Sequence, residues 1–172
     1  MKNIAKLIKL TLLVVSSTIM FSCSDDDSTT SSTNSISDVA SRNSDLSILV
    51  DALEKTDLLS VLGQNGSYTV FAPTNSAFNI FLDENNFNSL DEVPVGLLRE
   101  VLLNHVVVGA NLSSNLRTGY VKTLGKGNAS STNTLSMYIN TSDGVRLNGV
   151  SSVIIANIGA SNGVIHVVDA VI

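Results

Sequence analysis

YTVFAPTNSAF, Tyr68 to Phe78, reads as a strand running straight into a helix. Tyr68, Thr69, Val70 and Phe71 all suit an extended, half-buried backbone, with no breaker among them. Pro73 has no N–H to donate and is expected to end the ladder. Thr74 is a natural helix N-cap, its hydroxyl accepting from an early helical N–H. Ala77, Phe78, Phe81 and Leu82 then recur on one helical face.

Two further stretches belong with it. NGVIHVVDAVI, Asn162 to Ile172, opens on an Asn162-Gly163 turn signal. Val164 to Val168 is apolar on both faces apart from His166, which suits a buried strand. LLREVLLNHVV, Leu97 to Val107, reads as a helix running into a strand that contains His105. Taken in this order, the three stretches resemble the signature motifs of the fasciclin domain, an extracellular adhesion module. The resemblance covers Ile36 to Ile172. It implies a β-wedge or sandwich of about seven strands with helices packed along one edge.

The pattern between the motifs gives the fold class independently. Ile36–Arg42, Asp45–Thr56 (with Ser44 as N-cap), Asp57–Leu62 and Thr74–Leu82 read as helices. Leu46, Leu49, Val50 and Leu53 share one face at helical spacing. Pro94 can open a further helix, where its missing N–H costs nothing. Leu97, Leu98, Val101 and Leu102 would line that helix's inner side. From His105 onward short apolar runs follow: Val106–Val108, Gly119–Leu124, Thr134–Asn140, Gly144–Leu147, Val150–Asn157 and Val164–Val168. Gly, Asn and Ser separate them, and Asp143-Gly144 is a good hairpin turn. Helices first and strands afterwards predict an α+β domain.

The amino-terminal region differs in kind. Residues 1–22 read as a secretory signal: Lys2, Lys6 and Lys9 are followed by an apolar run, Leu10 to Phe21, too short to span a bilayer as a stable helix. Cys23 is the only cysteine, so it has no intramolecular disulfide partner. Met20-Phe21-Ser22-Cys23 resembles a bacterial lipobox, with Phe21 a departure from its usual small residue. That resemblance implies cleavage before Cys23 and acylation of it, and two or more acyl chains anchor a protein lastingly. Ser24, Asp25, Asp26 and Asp27 resemble the export signal of surface lipoproteins in Bacteroidota, which implies an outer-membrane lipoprotein displayed on the cell surface. The plainer reading is that the acids solvate a tether. Residues 23–35 would then be anchor, export signal and flexible linker, and 36–172 the domain. Asp27-Ser28-Thr29 matches a short O-glycosylation pattern of the same phylum, at Ser28. Asn111, Asn128 and Asn140 fit the N-x-Ser/Thr pattern, which carries little meaning in a bacterium.

Charge and chemistry narrow the function. The full chain carries a formal charge of -5, and since residues 1–22 hold three Lys and no acid, the remainder carries -8. An acidic body argues against nucleic acid and against electrostatic docking on anionic lipid. His105 and His166, the two histidines, form a poor zinc set and read as hydrogen-bonded core residues. No G-x-S-x-G elbow or P-loop ending occurs, and Gly125-Lys126-Gly127 reads as a turn. Asp91 and Glu92 precede a helix, where acids favour its positive end. No enzyme, cofactor or metal is expected. The resemblance implies adhesion, or binding of an extracellular protein, a glycan or matrix, by a module held to the membrane through Cys23. The alternative is a non-catalytic structural or accessory component of the envelope, on the periplasmic face or beside an uptake complex. Metazoan relatives often place Tyr before the middle histidine, a pair tied to integrin recognition. Asn104 stands there instead, so integrin-type recognition is not expected. The polar loops Asp83–Ser89 and Gly125–Asn133 are the candidate ligand-binding segments.

Overall fold

The computed structural model describes residues 34–127 and 132–172. The leader, Cys23, Ser24, Asp25, Asp26, Asp27, Ser28 and Asn128 lie outside the described residues.

Helices open the domain. They are α1 (Ile36–Ser41), α2 (Ser47–Lys55) and α3 (Leu58–Gly63). Ser35 and Asp38 cap α1 reciprocally, Ser35 accepting from the N–H of Asp38 while Asp38 accepts from the N–H of Ser35. These hydrogen bonds hold the Asp38 carboxyl below its usual range. Ser44 is not the cap that the sequence suggests. Asn43 takes that place, its Oδ1 accepting from Asp45 N–H, and Ser44–Leu46 forms a 3-10 turn ahead of α2.

Strand β1 (Tyr68–Pro73) leads into α4 (Asn75–Glu84), with Thr74 accepting from Ala77 N–H at 3.2 Å as the N-cap. Pro73 does not end the ladder. It is the last residue of β1 and pairs with Val168, and beyond it Thr74 N–H donates to the Val168 carbonyl at 3.1 Å. A parallel ladder draws N–H donors from alternate residues of a strand, so a proline between two donors is tolerated. Helix α5 (Val95–Asn104) starts after Pro94 and buries Leu98 and Leu102, but Leu97 is 48% exposed and does not line its inner side. His105 caps α5 rather than opening the next strand. Asp91 pairs with Lys55 at 3.3 Å, and Glu92 accepts from the N–H of Asn88 at 2.8 Å.

The remaining strands are β2 (Val106–Val108), β3 (Gly119–Lys122), β4 (Ser136–Asn140), β5 (Arg146–Leu147), β6 (Ser151–Ala160) and β7 (Gly163–Val168). They form one seven-stranded sheet in the order β2-β1-β7-β6-β5-β4-β3. The β1–β7 pair is parallel and the others are antiparallel. The first and last sequence motifs thus become neighbouring strands, second and third from one edge of the sheet.

The sheet bends over on itself. Val107 of β2 bridges Thr123, just past β3, and Leu124 N–H donates to the Val106 carbonyl at 2.9 Å. Its two outermost strands therefore meet at one end. Alternation along the central strands separates two cores. Val70, Ala72, Ile165, Val167 and Val106 join the helices, packing with Ile36, Leu53, Phe78, Leu98 and Leu102. Phe71, Val107 and Val168 point the other way, into the bend, against Met137, Ile139 and Leu147. Each large apolar side chain so buried stabilises the fold by about 1.5–3 kcal/mol.

Candidate functional site

Where the bend is not closed, it leaves a cleft. Its volume is about 290 Å³, and it lies over the buried side chains of Phe71, Val107, Leu116 and Ile139, with the half-buried Val121 beside them. Thr69, Asn111, Asn115, Arg117 and Thr118 add polar groups. Strands from both arms of the sheet build the walls. The segment 109–118, between β2 and β3, forms the roof.

Polar side chains beneath the roof fix that segment. Thr69 Oγ1 donates to the Gly109 carbonyl and accepts from Asn111 N–H at 2.9 Å. His166 lies one layer down, with its ring stacked on Phe71 at a centroid distance of 5.5 Å. Its Nε2 contacts the Asn111 carbonyl at 2.9 Å, while its Nδ1 receives Asn157 N–H at 3.2 Å. These partners require a neutral ring with the proton on Nε2, because a carbonyl can only accept and an N–H can only donate. Burial lowers the His166 pKa and so favours that form. Asn157, at a φ of 65° within the irregular stretch of β6, reaches out to accept Ser113 N–H at 2.8 Å. Through His166 and Asn157 the first half of the roof, at Asn111 and Ser113, is bound to β7 and β6.

His105 does a matching task on the other side. Its Nδ1 contacts the Val101 carbonyl at 2.7 Å, and its Nε2 accepts Ile172 N–H at 3.0 Å. Burial pushes its pKa down to about 4. Both histidines are thus the hydrogen-bonded core residues that the sequence suggests, and they lie in separate networks. Among the described residues no group of three or more His, Cys, Asp or Glu is placed to hold a metal ion.

The cleft is not where the sequence points. Of the two candidate loops, Asp83 and Glu84 belong to α4, and the backbone N–H groups of Lys126 and Gly127 are held by the Glu100 carboxylate at 2.7 and 2.8 Å. No residue of either loop lines the cleft among those described. The segment 109–118 carries only the N-x-Ser/Thr pattern at Asn111 and is not among the candidate loops. Asn111 is committed inward through Nδ2 to Thr69 and Gly109, and Asn140 Oδ1 accepts from Ser142 N–H at 2.9 Å.

Comparison with known proteins places this architecture. The family model described as the fasciclin domain matches residues 44–172. Protein sll1483 of Synechocystis sp. is 35% identical over 152 residues, which is 83% of this chain and 75% of that protein. Human periostin is 28% identical over 148 residues, but this chain spans only 16% of its length. A solved FAS1 domain pair from the insect cell adhesion molecule Fasciclin I superposes with a TM-score of 0.66 at 12% identity, covering 82% of this chain and 51% of that one.

Proposed function

This chain belongs to the fasciclin domain family, and on that premise we propose that it is a surface-anchored, non-catalytic binding module for adhesion to extracellular protein, glycan or matrix. The observation that carries the reading is the family match over residues 44–172, joined to the likeness in fold to a module from a named adhesion molecule. The lipobox-like sequence ending at Cys23 and the acidic run Asp25–Asp27 supply the anchor and the outward address. The polar stretch that begins at Ser28 supplies reach ahead of Ser35, which caps α1 and so belongs to the domain and not to the linker. Within the domain, the roofed cleft offers a recognition site on a rigid sheet.

The test compares intact cells displaying the full chain with cells displaying only the anchor and linker, on surfaces coated with matrix proteins or glycans. Adhesion above the domainless control on at least one surface supports the proposal. Equal adhesion on all of them contradicts it.

A further inference from the structure

The arm formed by β3, β4 and β5 turns one face to the inner core and the other to solvent. Met137, Ile139 and Leu147 are buried in that core, so alternation sends Ser136, Tyr138, Asn140 and Arg146 to the outer face. Tyr120 and Lys122 join them, because they pair with Tyr138 and Ser136 across the ladder. Tyr120 is 77% exposed, and Tyr138 supports its ring at a centroid distance of 5.1 Å and an angle of 53°. Such a tilted pair fixes the Tyr120 ring while leaving aromatic surface open to solvent. Lys122 and Arg146, the latter paired with Asn140, lie at opposite ends of the tyrosine pair on the two strands flanking β4. By strand geometry they are on the order of 16 Å apart. Both are exposed, and neither forms an ion pair among the described residues.

Charge distinguishes this face from the rest of the domain. Between Glu100 and Asp169 the sequence holds one acid, Asp143, against Arg117, Lys122, Lys126 and Arg146, although the chain has a net charge of -5. We propose that the outer face of the arm binds an acidic polysaccharide, with a pyranose ring stacked on Tyr120 and uronate carboxylates paired with Lys122 and Arg146. This rests on the reading of the chain as a binding module and names the chemistry of its ligand. A pyranose has a C–H face of slight positive charge, which suits the negative face of a phenol ring. Its hydroxyl rim suits Ser136 and Asn140, the polar neighbours on the same face. A protein partner calls for an apolar centre depleted of charge, and no aliphatic side chain stands between the two cations among these paired residues. The separation of the cations requires a chain of several sugar residues. Repulsion from the acid-rich helical half confines a polyanion to this arm.

The experiment titrates tetragalacturonate, and separately the neutral cellotetraose, into the full chain carrying Cys23→Ser, followed by amide NMR shifts. The expected result is saturable shifts at Tyr120, Lys122, Tyr138 and Arg146, with cellotetraose about fivefold weaker, as two exposed ion pairs allow. Raising the salt concentration should remove that preference. Tyr120→Ala, a change at an exposed ring, should weaken both sugars about tenfold, while Tyr120→Phe keeps the stacking surface and the binding. Lys122→Gln together with Arg146→Gln should bring tetragalacturonate down to the affinity of cellotetraose. No saturable shift, shifts confined to the helices, equal affinity for the two sugars, or full binding by Tyr120→Ala would overturn the proposal. So would shifts on this face with gelatin and with neither sugar, which would make it a protein-docking surface. The titration involves no cell surface, so its failure would leave the adhesion reading to be judged by the cell assay alone.

Discussion

Asn162 accepts the backbone N–H of Ile36 through its Oδ1 at 2.8 Å, joining the start of the first helix to the turn before the last strand. The same side chain donates through Nδ2 to the carbonyls of Leu62 and Gln64, at 2.6 and 2.8 Å. One buried amide thus satisfies three backbone groups, one at the start of α1 and two at the end of α3. Asn162→Leu should cost on the order of 3 kcal/mol, because it leaves several buried polar groups without partners. Urea unfolding measures this, and a loss under 1 kcal/mol would mean that water replaces the amide.

Gly163, the next residue, has a φ of +154° and lies against β1. A Cβ there would collide with the Tyr68 carbonyl oxygen and come within 2.9 Å of Ile36 Cδ1. Tyr68 is backbone and cannot swing aside. Gly163→Ala is therefore expected to destabilise by about 3 kcal/mol, combining backbone strain with overpacking. Thermal unfolding unchanged within error would show that the β1–β7 register shifts to accommodate the methyl group.

Acid should weaken the domain well above the carboxylate range. The folded-state pKa of His105, about 4, lies below the ordinary value of 6.5 expected in the unfolded chain. As pH falls the unfolded chain takes up its proton first. The stability due to a neutral His105 is then complete above about pH 6.5 and lost toward pH 4, on the order of 3 kcal/mol in all. His166 shifts in the same direction and adds to the loss. Urea unfolding at steps between pH 7 and pH 4 gives the slope. A flat profile, or a His105 ring titrating near 6.5 by NMR, would contradict the neutral, buried arrangement.

The roof of the cleft depends on Asn157. Its positive φ suits Asn or Gly, and its side chain donates to Ser113 Oγ at 2.9 Å besides accepting Ser113 N–H. Asn157→Gly keeps the backbone and removes both bonds. It should lower global stability by no more than about 1 kcal/mol. Hydrogen exchange should meanwhile speed up selectively across 109–118. Uniform exchange changes throughout the domain would show that the roof is not an independent unit.

Much of the architecture could be read from local chemistry. Thr74 announces its helix because a cap needs only its own neighbours, and Val164–Val168 announces a buried strand through unbroken apolarity. Local pattern could not show that β1 and β7 pair in parallel, since nothing in either strand encodes its partner. It also misplaced Leu97, because the buried stripe of α5 is narrower than its apolar composition: Leu97 faces away while Leu98 and Leu102 pack. The cleft was illegible for a related reason. Phe71, Val107, Leu116 and Ile139 each look like ordinary core residues, and only the bending of the sheet leaves a space between them.

Protease shaving of intact cells, followed with an antibody to the folded domain, tests the central proposal most directly. A module anchored through Cys23 and addressed outward by Asp25, Asp26 and Asp27 should be removed from living cells, and alanine at those three positions should protect it. A domain that survives until the outer membrane is opened would contradict surface display, and with it the adhesive role.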